Sequence, residues 1–233
     1  MHLGDFVKKI LIFLFLPILI IAQSEFINDG HLGIGANYGY VANDILSGSG
    51  GSFGISALGK YDMGAEFIDG MIELDNSNIK INSSSFLFYL AYNVKRNNNF
   101  SNLKIMAGFI KTSFGYYISN EEENSGFVLG LSFSLKALEE KNISIIPALG
   151  LIYGFIDTDL NQTYYIGNGY YYTRKDSFIE NTRNLSLEVN FKVQAIENMN
   201  FIITPSISKD LISSDNSISY SILGGLMFDF EIE

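Results

Sequence analysis

The chain is predicted to be all-β: a closed antiparallel transmembrane up-and-down β-barrel of ten strands, with eight strands as the alternative. Three observations predict it. Apolar residues alternate with polar or small ones at period two through ten segments, the mark of a strand with two unlike faces. Most of these segments are long, reaching the roughly 9–11 residues that a tilted strand needs to cross a bilayer. The connections alternate between tight and long, which places short turns at one rim and loops at the other.

Residues 1–22 are read apart from the barrel. Lys8 and Lys9 precede an apolar run, Ile10–Ile21, broken only by Pro17, and Ala22 offers a small residue for cleavage. This is the pattern of a secretory signal peptide. The apolar run is shorter than the roughly 20 residues of a spanning helix. Residues 23–29 form a short N-terminal segment, and residues 30–233 form the barrel.

The strands follow in order. Residues 31–42 set Leu32, Ile34, Ala36, Tyr38 and Tyr40 against a small, Gly-rich face. Residues 51–58 set Phe53, Ile55 and Ala57 against Ser52, Gly54 and Ser56. Residues 61–72 set Tyr61, Met63, Ala65 and Phe67 against Asp62, Gly64 and Glu66. Residues 82–94 carry Phe86, Phe88, Leu90 and Tyr92 on one face. Residues 102–118 begin with Leu103, Ile105, Ala107 and Phe109, then meet Lys111, which predicts a bulge or the end of the apolar band.

Residues 127–137 alternate from Phe127 to Ala137, and residues 142–156 carry Ile143, Ile145, Leu149, Leu151, Tyr153 and Phe155 on one face. The clearest case is 184–195. Leu185, Leu187, Val189, Phe191 and Val193 oppose Asn184, Ser186, Glu188, Asn190 and Lys192. A helix would scatter both sets. Residues 200–212 and 218–232 complete the set, with Leu223 and Met227 as apolar exceptions on the polar face of the last. Tyrosines gather near strand ends, at 38, 40, 92, 116, 117 and 153, where a girdle meets the membrane interface. Tight connections fall near 59–60, 95–101, 139–141 and 196–199. Longer ones fall at 43–50, 73–80, 119–126, 157–181 and 213–217.

Composition narrows the function classes. There is no cysteine, so disulfides, thiol catalysis and Cys-ligated zinc are excluded. A net charge of −10 makes nucleic acid a poor partner. Beyond the first 22 residues the one histidine is His31, at the start of the first strand, and it is expected to be structural. Asp157/Asp159 and Glu121-Glu122-Glu123 are read as solvated charge in preference to cation ligands. Neither a phosphate-binding loop nor a dinucleotide fingerprint occurs. The expectation is a chain that is not an enzyme, with no metal and no cofactor.

The pattern over residues 30–233 resembles the small outer-membrane β-barrel proteins of Gram-negative bacteria, the opacity-protein-like group. The terminal stretch Gly224-Gly225-Leu226-Met227-Phe228-Asp229-Phe230-Glu231-Ile232-Glu233 is similar to the signal read by the barrel assembly machinery. It departs in ending on Glu233, where family members end on the aromatic. The resemblance implies a bacterial outer-membrane location, with membrane lipid and lipopolysaccharide as neighbours.

Within such a cylinder the predicted lumen-lining residues are Asp62, Glu66, Lys104, Lys136, Glu188, Asn190, Lys192 and Asp229. They form either a mutually paired plug or a thin polar conduit. A lone ion there is costly, which favours pairing. The predicted surface-binding loop is 157–181, with Tyr164, Tyr165, Tyr170, Tyr171 and Tyr172. Tyrosines give rigid amphipathic contact area for a surface protein or glycan ligand; the alternative is packing over the barrel mouth. The predicted role is structural or adhesion-like surface interaction, and the alternative is a small pore for polar or hydrophobic solutes.

Overall fold

A computed structural model describes residues 27, 30–43, 46–73, 80–97, 101–115, 121–140, 142–167, 170–212 and 218–232. Every regular element among them is a strand. In chain order these are β1 (His31–Ala42), β2 (Leu46–Ala57), β3 (Tyr61–Glu73), β4 (Lys80–Asn97), β5 (Ser101–Gly115) and β6 (Glu121–Leu135). There follow β7 (Leu138–Glu140), β8 (Ile143–Gly167), β9 (Tyr170–Ile196), β10 (Met199–Asp210) and β11 (Ile218–Glu231). Neighbours in sequence pair antiparallel, β1 pairs with β11, and β6 pairs directly with β8. The ring therefore closes with ten strands. The eleventh, β7, is a three-residue stub that pairs with the foot of β8, Leu138 opposite Ile145.

Closure matters because hydrocarbon offers no water to an unpaired backbone group. The seam between first and last strands runs unbroken from His31↔Glu231 to Ala42↔Tyr220. The β2–β3 connection is three residues, 58–60, turning on Leu58 and Gly59, both at positive φ, the twist that suits a tight hairpin. Lys60 N–H donates to the Ala57 carbonyl at 3.0 Å and closes it.

The two faces separate as the alternation predicts. Leu187, Phe191, Leu131 and Phe228 are exposed on the outer wall, while Ser186, Asn190, Ser132 and Met227 are buried inside. Tyr38, Tyr40, Tyr61 and Tyr92 also point outward; Tyr61 and Tyr92 pack ring on ring at 5.2 Å at the turn-bearing end. Tyr116 and Tyr117 lie outside the described residues, as do residues 1–22.

One sequence expectation resolves to the second of its two alternatives, and three change. The ladder between β4 and β5 is regular through Lys111, and its register shift falls between Asn93 and Lys95. Lys111 keeps the outward parity of Phe109 and marks the top of the apolar band, where its Nζ lies 3.3 Å from Glu123 Oε2. β2 begins at Leu46, earlier than the Ser/Gly-rich 43–50 stretch suggests, and β6 begins at Glu121 within the expected loop. The largest change is the expected loop 157–181. Most of it is strand: β8 and β9 run on past the wall as one hairpin, with Asp157↔Ile179, Asp159↔Ser177 and Tyr164↔Tyr172 in register.

Candidate functional site

The interior is filled in layers. Toward the loop-bearing end, Leu87, Tyr89, Ile110, Phe114, Val128, Ile152 and Ile156 meet in one buried cluster with Leu46, Ile72 and Ile81. These come from β2, β3, β4, β5, β6 and β8, so the cluster bridges opposite walls. Tyr89 lies fully inside, against Gly64 of the neighbouring strand. A Cβ at Gly64 would stand 2.6 Å from the Tyr89 hydroxyl oxygen, so only glycine leaves room for that ring.

A polar belt lies below. Lys104 Nζ sits 2.8 Å from Asp62 Oδ2, with both side chains at most 3% exposed. Glu66 and Glu188 are buried in the same interior. Asn190 donates to Glu188 Oε1 at 3.4 Å, and its Oδ1 accepts from Thr204 Oγ1 at 2.8 Å. Ser206 and Ser221 share a 2.8 Å hydrogen bond. The gap beside Glu66 and Leu223 is about 10 Å³, room for no more than about one water.

A second apolar layer closes the turn-bearing end. Ile146, Ile202 and Met227 cluster there with Ile27 of the N-terminal segment, which is fully buried. Ile27 lies directly over Gly33 on the inner face of β1. Introducing aspartate at 27 is expected to expel this segment in preference to burying a carboxylate. The loss is then capped near the burial value of one large aliphatic, about 1.5–3 kcal/mol. A Met227→Cys thiol should pass from protected to maleimide-reactive in the Ile27→Asp background. Continued protection would show that the segment does not seat there.

The hairpin is the other feature. β10 pairs with β9 only from Asn184 downward, and β6 pairs with β8 no higher than Asn161. Above those points β8 and β9 stand as a two-stranded ribbon, with Tyr165 opposite Tyr171 and Gly167 opposite Tyr170. Phe178, on the inward side of β9, packs against the upper apolar cluster. Ile179 and Tyr172 are exposed, at 75% and 56%.

No protein-family model matches the sequence, and neither does any curated protein sequence. The backbone does have counterparts among solved structures. One is the translocator domain of the autotransporter NalP from Neisseria meningitidis: TM-score 0.54, 13% identity, covering 89% of this chain and 91% of that one. The chain shares the closed antiparallel barrel fold of that domain. Other counterparts of this barrel are the outer-membrane protease OmpT from Escherichia coli and the attachment invasion locus protein Ail of Yersinia pestis. OmpT gives TM-score 0.49 and 11% identity, covering 87% of this chain and 94% of its own. Ail gives 0.38 and 12%, covering 87% and 99%. At such identities the likeness bears on the fold alone.

The remaining candidates in this barrel divide by height. Lys136, Lys192 and Asp229 sit near the turn-bearing rim and are partly exposed, apart from the central belt. Lys136 pairs with Glu139 at 2.7 Å. His31 Nδ1 lies 2.8 Å from Asp229 Oδ1, so the histidine is tied to a carboxylate on the seam at the end away from the ribbon. Asp157 and Asp159 are exposed on β8. Among the described residues no group of three His, Asp or Glu is placed to hold a metal. The apolar layers are what sequence reasoning missed. Their signal in the sequence is a few large apolar or aromatic residues at the parity of the polar face: Tyr89 and Val128 belong to the upper layer, Met227 to the lower layer, and Leu223 is buried at 2% beside the small interior gap.

Proposed function

We propose that this is a non-enzymatic integral outer-membrane protein that acts at the cell surface through its β8–β9 hairpin, while its lumen serves as a structural core. Residues 1–22 supply the export address, residues 30–233 the barrel, and the barrel assembly machinery and lipopolysaccharide are its partners in the membrane. The observation that carries the reading is the hairpin itself. A sealed wall needs no strand pair running past its neighbours, and this pair presents Tyr172 and Ile179 to solvent. Tyr164, Tyr165, Tyr170 and Tyr171 lie along the same ribbon. Large amphipathic side chains on a stiff two-stranded scaffold bind at low entropic cost.

The filled lumen supports the choice against a pore. Ile152, Phe114 and Tyr89 stand in the path, and the belt beneath is ion-paired. Two experiments test the reading. Vesicles carrying the refolded barrel are applied to a glycan array and to immobilised extracellular-matrix proteins, beside a variant in which residues 160–179 are replaced by a short Asn-Gly turn. Binding should require the hairpin, while the trimmed barrel keeps its β-sheet circular dichroism. Equal binding by both would sink the hairpin assignment. In planar bilayers the intact protein should give no stable conductance steps; uniform steps would favour the transport reading.

A further inference from the structure

The outer wall carries a groove where convex packing is the norm. It has a volume of about 770 Å³ and crosses six strands, within the range of about 300–1,000 Å³ typical of pockets for small organic ligands. Its floor exists because Ala57 and Ala107 take positions where the neighbouring outward residues are Leu, Ile and Met. The pairing register sets its course. Ala57 opposite Tyr61, Tyr61 opposite Tyr92 and Tyr92 opposite Ile105 form its lower row. The next row ends at Leu129 opposite Tyr153 on β8, near the top of the apolar band. The groove thus climbs obliquely from the β2–β3 turn toward the loop-bearing side.

Its lower end is polar and rigid. The Tyr61–Tyr92 ring pair forms one lip. The adjoining turn is pinned by Asn93, whose N–H donates to the Lys60 carbonyl at 2.8 Å and whose Nδ2 donates to the Gly59 carbonyl at 2.9 Å. Lys60 itself is exposed there, next in sequence to Tyr61. A cation and two tyrosines at an interface, leading into an apolar trough, match an anionic headgroup with a chain attached.

We propose that this groove is a lipid-binding site that holds one acyl chain of a glycerophospholipid of the periplasmic leaflet, with the phosphate at Lys60. The chain lies over Ala107 between the walls formed by Leu90 and Leu129. The site is separate from the hairpin, so it stands whether or not the hairpin binds a surface ligand.

Native mass spectrometry of the full barrel, released from mild detergent after incubation with phosphatidylglycerol or with purified lipid A, tests this. Wild type should retain one phosphatidylglycerol and no lipid A. Ala107→Phe fills the trough on the lipid-facing side and should abolish retention. Ala57→Leu narrows the foot and should reduce it. Lys60→Gln should weaken retention about tenfold while Lys60→Arg restores it. Circular dichroism checks that each variant is folded. Three results would overturn the proposal: unchanged phosphatidylglycerol retention in Ala107→Phe, lipid A retained and lost on Arg183→Gln, or a dimer that Ala107→Phe converts to monomer. The second would assign the groove to the outer leaflet through the Arg183 guanidinium stacked over Tyr153. The third would assign it to a second copy of the chain.

Discussion

Lys104→Met is expected to lower the unfolding free energy of the lipid-embedded barrel by about 3–5 kcal/mol, the usual cost of breaking a buried ion pair from one side. Methionine nearly conserves the volume, so the effect is electrostatic. The Asp62 carboxylate loses the ammonium 2.8 Å away and stays buried in an interior that also holds Glu66 and Glu188. Adding Asp62→Asn to the Lys104→Met chain should recover a large part of the loss, because the buried carboxylate that faced the ammonium is then neutral. Urea titration in vesicles, followed by circular dichroism, measures both. A loss under about 1 kcal/mol is the scale of a solvated pair. That result would mean that water reaches the belt, and the lumen would then be a conduit.

Leu187→Arg should cost about 2–4 kcal/mol if the side chain faces the middle of the bilayer. Leu187 is exposed on the wall, opposite Leu149 and Ile207 on the flanking strands. All three lie on the apolar face, so the arginine has no polar neighbour at its own height and must reach along the wall to water. Ile179→Arg is the control. Ile179 is more exposed than Leu187 and lies eight residues nearer the loop-bearing end of the same strand, beyond the last β9–β10 pairing at Asn184. Surface substitutions of that kind usually fall within about 0.5 kcal/mol. Equal costs at 187 and 179 in the same titration would mean that the wall at 187 is not in lipid.

How far the fold was legible follows from what alternation encodes. Between residues 184 and 195 the parity is strict because one side is the apolar outer wall and the other a tight interior. Every odd position there points out and every even one in. Parity assigns a face and cannot say which inward residues of different strands meet. Leu223 and Met227 therefore read as exceptions, although both belong to the packed interior. Tyr89 in its slot against Gly64 was invisible for the same reason: the contact joins two strands through one missing Cβ. The hairpin was misread for a different reason. Asp157, Thr158 and Asp159 still alternate outward and inward on β8, with Thr158 fully buried, but all three are polar, so the stretch shows no apolar alternation and resembles a loop. Its strand character comes from cross-strand pairing, which no local pattern displays. Of the predicted lumen residues, Asp62, Glu66, Lys104, Glu188 and Asn190 fall in the interior belt. Lys136, Lys192 and Asp229 obey the same parity but sit near the end of the cylinder, since parity carries no height.

The seat of Ile27 also has a meaning in time. It is built from Gly33 on the first strand, Met227 on the last, and Ile146 and Ile202 on two between. Ile146, Ile202 and Met227 lie on the neighbouring strands β8 to β11, but Gly33 joins them only when the ends of the sheet have met along the His31↔Glu231 seam. The full seat for Ile27 is therefore missing from a half-formed, open sheet. It is completed only by the ring, and Ile27 then ties together the two strands that close it.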